Sequence, residues 1–99
     1  MASKSIAGFD WDEGNRDKCQ KHGVTIKEIE SVFMGTPAIG PDGAHSTAET
    51  RFLAIGRATS GRHVFLAFAW REREGGWFVR PISARYMHAK EVQHYEAQS

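Results

Sequence analysis

"RFLAIGRATSGRHVFLAFAWREREGGWFVRPISAR", residues 51–85, decides the fold. Three apolar runs are separated by two turn signals, "TSGR" and "REREGG". Runs rich in Val, Ile, Phe and Trp between Gly-rich turns read as strands. Two short connections in a row force neighbouring strands antiparallel, because a parallel pair needs a long crossover. The middle run, "HVFLAFAW", is apolar at odd and even positions, so it predicts a central strand covered on both faces. The third run contains Pro81. Proline lacks the N–H that a ladder needs, so it marks an edge or a bulge. A regular strand would put Arg85 on the face of Val79 and Ser83, and Arg80 on the opposite face with Phe78 and Ile82. A bulge at Pro81 would change that parity.

Outward from this meander the chain reads as helical. Phe9 and Trp11 alternate with Asp10 and Asp12, which predicts a short strand ending at Asp12. Asp12 then caps a helix running to about His22, with Gly23 as its left-handed stop. That helix is polar; Cys19 is its apolar residue, with Asn15 and His22 on the same face. "TIKE", residues 25–28, is a capping box. Ile26, Ile29, Val32 and Phe33 form the stripe of a second helix, which Gly35 and Pro37 end. "PDG" at 41–43 is a turn, followed by a polar loop or edge segment. His88 precedes a last helix from about Ala89, with Glu91 placed to reach back and Val92 and Tyr95 facing inward. The class is α+β: N-terminal helices packed on a three- to four-stranded antiparallel sheet, with a C-terminal helix. Residues 1–8 read as a frayed start, and 9–99 as a single domain.

With 40% hydrophobic and 25% charged residues, the chain has an ordinary globular composition. It has no apolar run long enough to span a bilayer, and "MASKSIAG" lacks the apolar core of a signal peptide. The single cysteine, Cys19, has no internal disulfide partner, and no zinc-ligand spacing is present. The expectation is a cytoplasmic, metal-free protein with no cofactor. A net charge of +1 conceals an asymmetry: residues 51–99 hold eight Lys/Arg against four Asp/Glu. Such a balance argues against indiscriminate coating of nucleic acid, yet it suits one anion-binding face.

"FDWDEGNRDKCQKHGV", "RFLAIG" and "RPISARYMHAKEVQHYE", in that order over about residues 9–96, resemble the BrnT family of bacterial type II toxins. The combination of F-x-W-D, K-H-G-V and I-S-A-R followed by Glu and Tyr is what makes the resemblance specific. The segment from Trp11 to His22 is one residue shorter than the commoner family pattern, and Cys19 stands where many members have Asn. The resemblance implies a RelE-like fold and a ribonuclease that halts translation, acting on RNA on or off the ribosome. It implies neutralisation by a cognate, BrnA-like antitoxin, with operator DNA reached only through that partner.

Metal-independent RNA cleavage needs a base for the 2′-hydroxyl, positive charge for the phosphorane, and an acid for the leaving 5′-oxygen. Arginine suits the charge role because its planar fork holds two phosphate oxygens at once. Arg85 is the leading phosphate clamp; its alternative is a salt bridge to Glu91 or Glu49. Arg80 divides between RNA contact and plain surface, and Arg57 and Arg71 are further RNA-contact candidates. Lys21 and His22 sit at a helix C-terminus, where the dipole favours a charged imidazole fit for general acid work. The same "KHG" also serves as an ordinary helix stop. Glu49 and Arg51 share strand parity; Glu49 is a candidate base, or the two form an ion pair beside the site. His88 reads as a helix cap, and His45, His63 and His94 lack supporting context. The second reading of the whole is a non-catalytic module that binds RNA or antitoxin.

Overall fold

The computed structural model describes residues 5–43 and 49–98. Its order is β1 (Ile6–Phe9), α1 (Glu13–Gln20), α2 (Ile26–Met34), β2 (Ala38–Pro41), β3 (Phe52–Arg57), β4 (His63–Arg73), β5 (Gly76–Tyr86) and α3 (Ala89–Gln98). The strands form one five-stranded sheet in the order β1-β5-β4-β3-β2. The α+β class stands, with two corrections. The sheet has five strands, not three or four, and β1 pairs parallel to β5 while the other neighbours are antiparallel. The first strand also lies earlier than expected: it ends at Phe9, and Asp10 to Asp12 form the connection to α1.

The displaced strand β1 and the unexpected strand β2 both carry weak sequence signals. β1 reads "IAGF", and Gly8 is needed there because a Cβ would meet the Phe78 ring at 2.8 Å. β2 reads "AIGP" and is exposed except at Gly40, which is half-buried. Neither run alternates apolar and polar residues strongly enough to announce itself. The expected polar segment after Asp42 falls largely on 44–48, outside the described residues, as does His45.

One face of the sheet carries the core. Val64, Leu66 and Phe68 of β4 join Ala54 of β3 and Val79 and Ala84 of β5. Ile29, Val32 and Phe33 of α2, Cys19 of α1, and Val24 between the helices close over them. Phe33 meets the Phe68 ring edge-on at 5.0 Å and Phe9 at 5.9 Å. Such aromatic pairs add about 0.5–1.5 kcal/mol each beyond their area. β4 is the central strand, as expected, but its second face is only partly covered: Phe65 and Ala67 are half-buried, and Ala69 is fully buried. α3 accounts for part of that cover, although none of its own residues is buried. Val92 and Tyr95, half-buried, form its inner side.

Helix α1 is polar yet firmly seated. Asp12 caps it in a box with Asn15, and Asn15 and Cys19 are its buried residues. Burial pushes the Cys19 thiol up to about 11, so it acts as a small hydrophobe. Gly23 ends the segment with φ +91°, a conformation that favours glycine. In α2 the predicted Thr25–Glu28 capping box is present.

Glu28 does more than cap. Its Oε1 accepts from the Tyr86 hydroxyl at 2.6 Å, and its Oε2 from Ser60 at 2.7 Å. It thereby joins α2 to the β3–β4 turn and to the end of β5. Desolvation raises the Glu28 pKa, but the hydrogen bonds from Tyr86, Ser60 and Thr25 outweigh it and hold it at about 2, against an ordinary 4.5. A carboxylate depressed on folding stabilises above its unfolded value, and loses that effect as pH falls through its folded value. Glu28→Gln is expected to lower the Tm by a few degrees at pH 7. That deficit should shrink between about pH 4.5 and pH 2, as thermal melts across this range will show.

Candidate active site

The second face of the sheet depends on an irregularity in β5. Ala67 pairs with Ser83, and the next residue of β4, Phe68, pairs with Pro81. Ile82 is thus the extra residue of a β-bulge. Without it, Arg80 and Arg85 would face opposite ways. With it, Arg80 lies opposite Ala69 and Arg85 opposite Phe65, two positions on one face of β4. Phe78, Arg80, Ser83 and Arg85 therefore share the second face, while Val79, Pro81 and Ala84 are buried on the core face.

At the β1 side, the last backbone bond runs from Asp10 N to Val79 O at 2.8 Å. Beyond it, on this side and among the described residues, β5 has no strand neighbour, and α1 packs there instead. Pro81, which has no N–H to offer, sits where the ladder stops. Its carbonyl accepts from Asn15 Nδ2 at 2.9 Å.

An open cleft of about 490 Å³ lies on this side of the sheet. It is lined by Asp12, Gly14, Asn15 and Lys18 from α1 and its cap, by Glu49 and Arg51 before β3, by Arg71, and by Arg80, Pro81 and Ile82. Four cationic side chains, Lys18, Arg51, Arg71 and Arg80, thus meet two carboxylates, Asp12 and Glu49. Strand parity explains the convergence. Arg51 stands one step before β3 in the phase of Leu53 and Ile55, the residues opposite Ala67 and Phe65. Arg71 lies further along β4 on that face, opposite Phe78.

The arginines are held in place by carboxylates. Arg80 Nη2 donates to Asp12 Oδ2 at 2.8 Å, and Arg80 Nη1 lies 3.8 Å from Asp10 Oδ2. Arg73 reaches the same Asp10 oxygen at 2.7 Å. Arg71 Nη2 lies 3.0 Å from Glu49 Oε2. Among the described residues, the buried Nε of Arg71 has no acceptor. Asp12 is held below the usual carboxylate range, first by the backbone N–H of Asn15 and next by the Arg80 guanidinium.

The sequence-derived candidates separate into two groups. Arg51, Glu49, Arg71 and Arg80 come together in the cleft. Glu49 pairs with Arg71. Lys21 and His22 are exposed at the far end of α1, a helix roughly 12 Å long, and do not line the cleft. Arg57 ends β3 beside Glu96 of α3, at 4.0 Å, where His63 also approaches at 3.7 Å. Arg85 shares the face but sits under α3. Both its Nη atoms donate to the Glu91 carboxylate at 2.8 Å, and its guanidinium lies 4.7 Å from the Phe65 ring. The salt bridge to Glu91, one of the alternatives for Arg85, is thus present. Glu91 also accepts from the His88 N–H at 2.8 Å, so it caps α3 while anchoring it. Lys18 and Asn15 belong to the cleft and were not singled out as site residues. Their signal was faint: a lysine and an asparagine three apart on a polar helix.

A family model for BrnT, the ribonuclease toxin of type II toxin-antitoxin systems, matches residues 11–91. The chain belongs to the BrnT family. That span contains every residue lining the cleft. The family is one of ribonuclease toxins of type II toxin-antitoxin systems, which implies a protein antitoxin as partner. Among curated proteins, none matches the chain. No helix among the described residues is long and apolar enough to cross a membrane.

Arg85, through its pairing first of all, holds the Glu91 pKa down to about 2. Glu91→Gln weakens this fork and is expected to speed amide exchange at Val92–Tyr95 by about 2- to 5-fold. Amides of β4 should exchange at the parental rate in the same experiment.

Proposed function

We propose that this BrnT chain is a metal-independent endoribonuclease that cuts mRNA within the Arg51–Arg71–Arg80 cleft and so halts translation. A BrnA-like antitoxin neutralises it. The observation that carries the reading is the convergence of Lys18, Arg51, Arg71 and Arg80 around Glu49. A scissile phosphate is acceptor-rich, doubly coordinating and anionic, which is the ligand that arginine forks favour.

Glu49 is assigned as the base that removes the 2′-hydroxyl proton. The 2′-oxygen then attacks phosphorus, and the bond from phosphorus to the 5′-oxygen breaks. Arg71 and Arg80 stabilise the charge that builds on the phosphorane oxygens, and Arg51 supports them. Lys18 carries N–H donors on the α1 side of the cleft and supplies the proton to the leaving 5′-oxygen. The products are a 2′,3′-cyclic phosphate and a 5′-hydroxyl. Arg85, Lys21 and His22 take no part in this assignment. Arg85→Ala accordingly loosens α3 more than it slows chemistry.

Two sets of variants test the reading. Arg71→Ala and Arg80→Ala should each reduce cleavage of a model RNA by about 100-fold or more, and relieve growth arrest when the chain is expressed without antitoxin. Glu49→Gln should lower the cleavage rate by about 10²- to 10⁴-fold while RNA binding stays equal or tightens, because a competing carboxylate is removed from Arg71. If the parent protein binds RNA but leaves it intact, on and off ribosomes, the chain is a binding module and the chemistry assigned here is absent.

A further inference from the structure

We infer that Asn15 is a positioning residue for the cleft: its side chain fixes the β5 bulge and the α1 cap together, and through them aims Arg80. The inference rests on the reading of the cleft as the RNA site. Asn15 is 7% exposed and forms part of the cleft wall. Its Nδ2 donates to Asp10 O and to Pro81 O, both at 2.9 Å. Its Oδ1 accepts from the Asp12 N–H at 2.7 Å. The orientation of the carboxamide is fixed by its partners, since two carbonyls need donors and one N–H needs an acceptor.

The placement of these partners gives the side chain its effect. Asp10 is where β1 leaves the ladder, and Pro81 is where β5 begins its bulge. Asn15 bridges the two strands at the point where they separate. It stands in for the next rung of the parallel pair, and it holds the backbone on which Arg80 sits. On its other side it holds Asp12. The Asn15 N–H donates to Asp12 Oδ1 at 2.9 Å, which leaves Asp12 Oδ2 for Arg80 at 2.8 Å. The buried side-chain amide thus holds the strand that carries Arg80 and the backbone of the residue whose carboxylate orients its guanidinium. A capping box alone requires only the Oδ1 acceptor. The two Nδ2 bonds go beyond capping, and both reach backbone next to Arg80 or the residues that hold it.

The test is a double-mutant cycle with Arg80, read by binding to a non-cleavable 2′-deoxy or 2′-O-methyl oligonucleotide over a range of salt. Asn15→Ala removes the donors and the acceptor, and Asn15→Ser shortens the side chain so that it loses its reach to Pro81 O; neither adds charge. Circular dichroism and thermal melts confirm which variants are folded. Loss of one single-strand phosphate contact lowers the slope of log K against log salt by about 0.7. Arg80→Ala should show that decrement, and each folded Asn15 variant should show much of it. The double variants should bind within about twofold of Arg80→Ala alone, because a positioning residue has nothing left to aim. Losses that add in the double variant, or a folded Asn15→Ser with the parental slope, would overturn the inference while leaving the cleft reading intact. A parental slope and parental cleavage in Arg80→Ala would instead remove Arg80 from the RNA site, and with it the reading on which the inference rests.

Discussion

A β-strand offers only every second side chain to one face, and β5 of this BrnT protein must serve two faces at once. Its first half supplies Val79 and Pro81 to the core, and its second half supplies Ala84. The spacing from 79 to 84 is odd, so a regular strand cannot bury all of them. The single extra residue at Ile82 resolves this, and in doing so it turns Arg80 and Arg85 to the same side. The core and the cationic face are therefore set by one register shift. Pro81 stabilises it by having no N–H to lose, and Asn15 by accepting the task of satisfying its carbonyl.

The cleft that results is organised by opposite charges. Arg80 and Arg71 carry long flexible stems, and fixing them alone would cost rotamer entropy. Asp12 and Glu49 hold them in place ahead of any ligand. These pairs are partly solvated, so their value lies in orientation more than in stability. In the proposed reading, an incoming phosphate finds forks already aimed, and displaces or shares these carboxylates. α3 follows the same logic at the opposite end of the face, where Glu91 and Glu96 meet Arg85, Arg57 and His63. Arg57 and Arg85 thus meet α3, while Arg51, Arg71 and Arg80 line the open cleft.

Much of this was legible in the chain. The β3–β5 meander, the Thr25–Glu28 box, the Gly23 stop and the helix from Ala89 all follow from local chemistry that survives folding unchanged. The edge strands were poorly legible: β1 was expected but placed three residues too late, and β2 was not expected, because both are four residues long and contain Gly or Pro. Their pairing comes from neighbours and not from their own pattern. The site was half legible. Arginine is the right residue for phosphate, yet which arginines meet depends on a bulge whose exact position no spacing rule supplies. Arg85 looked the best clamp because it ends a strand, and Glu91 six residues on takes up its fork. Lys21 and His22 drew attention through their chemistry, but they follow the last turn of α1 and do not line the cleft, whereas Lys18 within that turn does.

The central claim is that an RNA phosphate docks where Arg51, Arg71 and Arg80 converge. Nuclear magnetic resonance of the intact chain, titrated with a non-cleavable trinucleotide, tests it most directly. The account predicts shift changes concentrated at Asp12, Asn15, Arg71, Arg80 and Ile82, with the arginine side-chain N–H signals moving most. Changes confined to Lys21, His22 and the Arg85–Glu91 region, with the cleft signals unmoved, would contradict it.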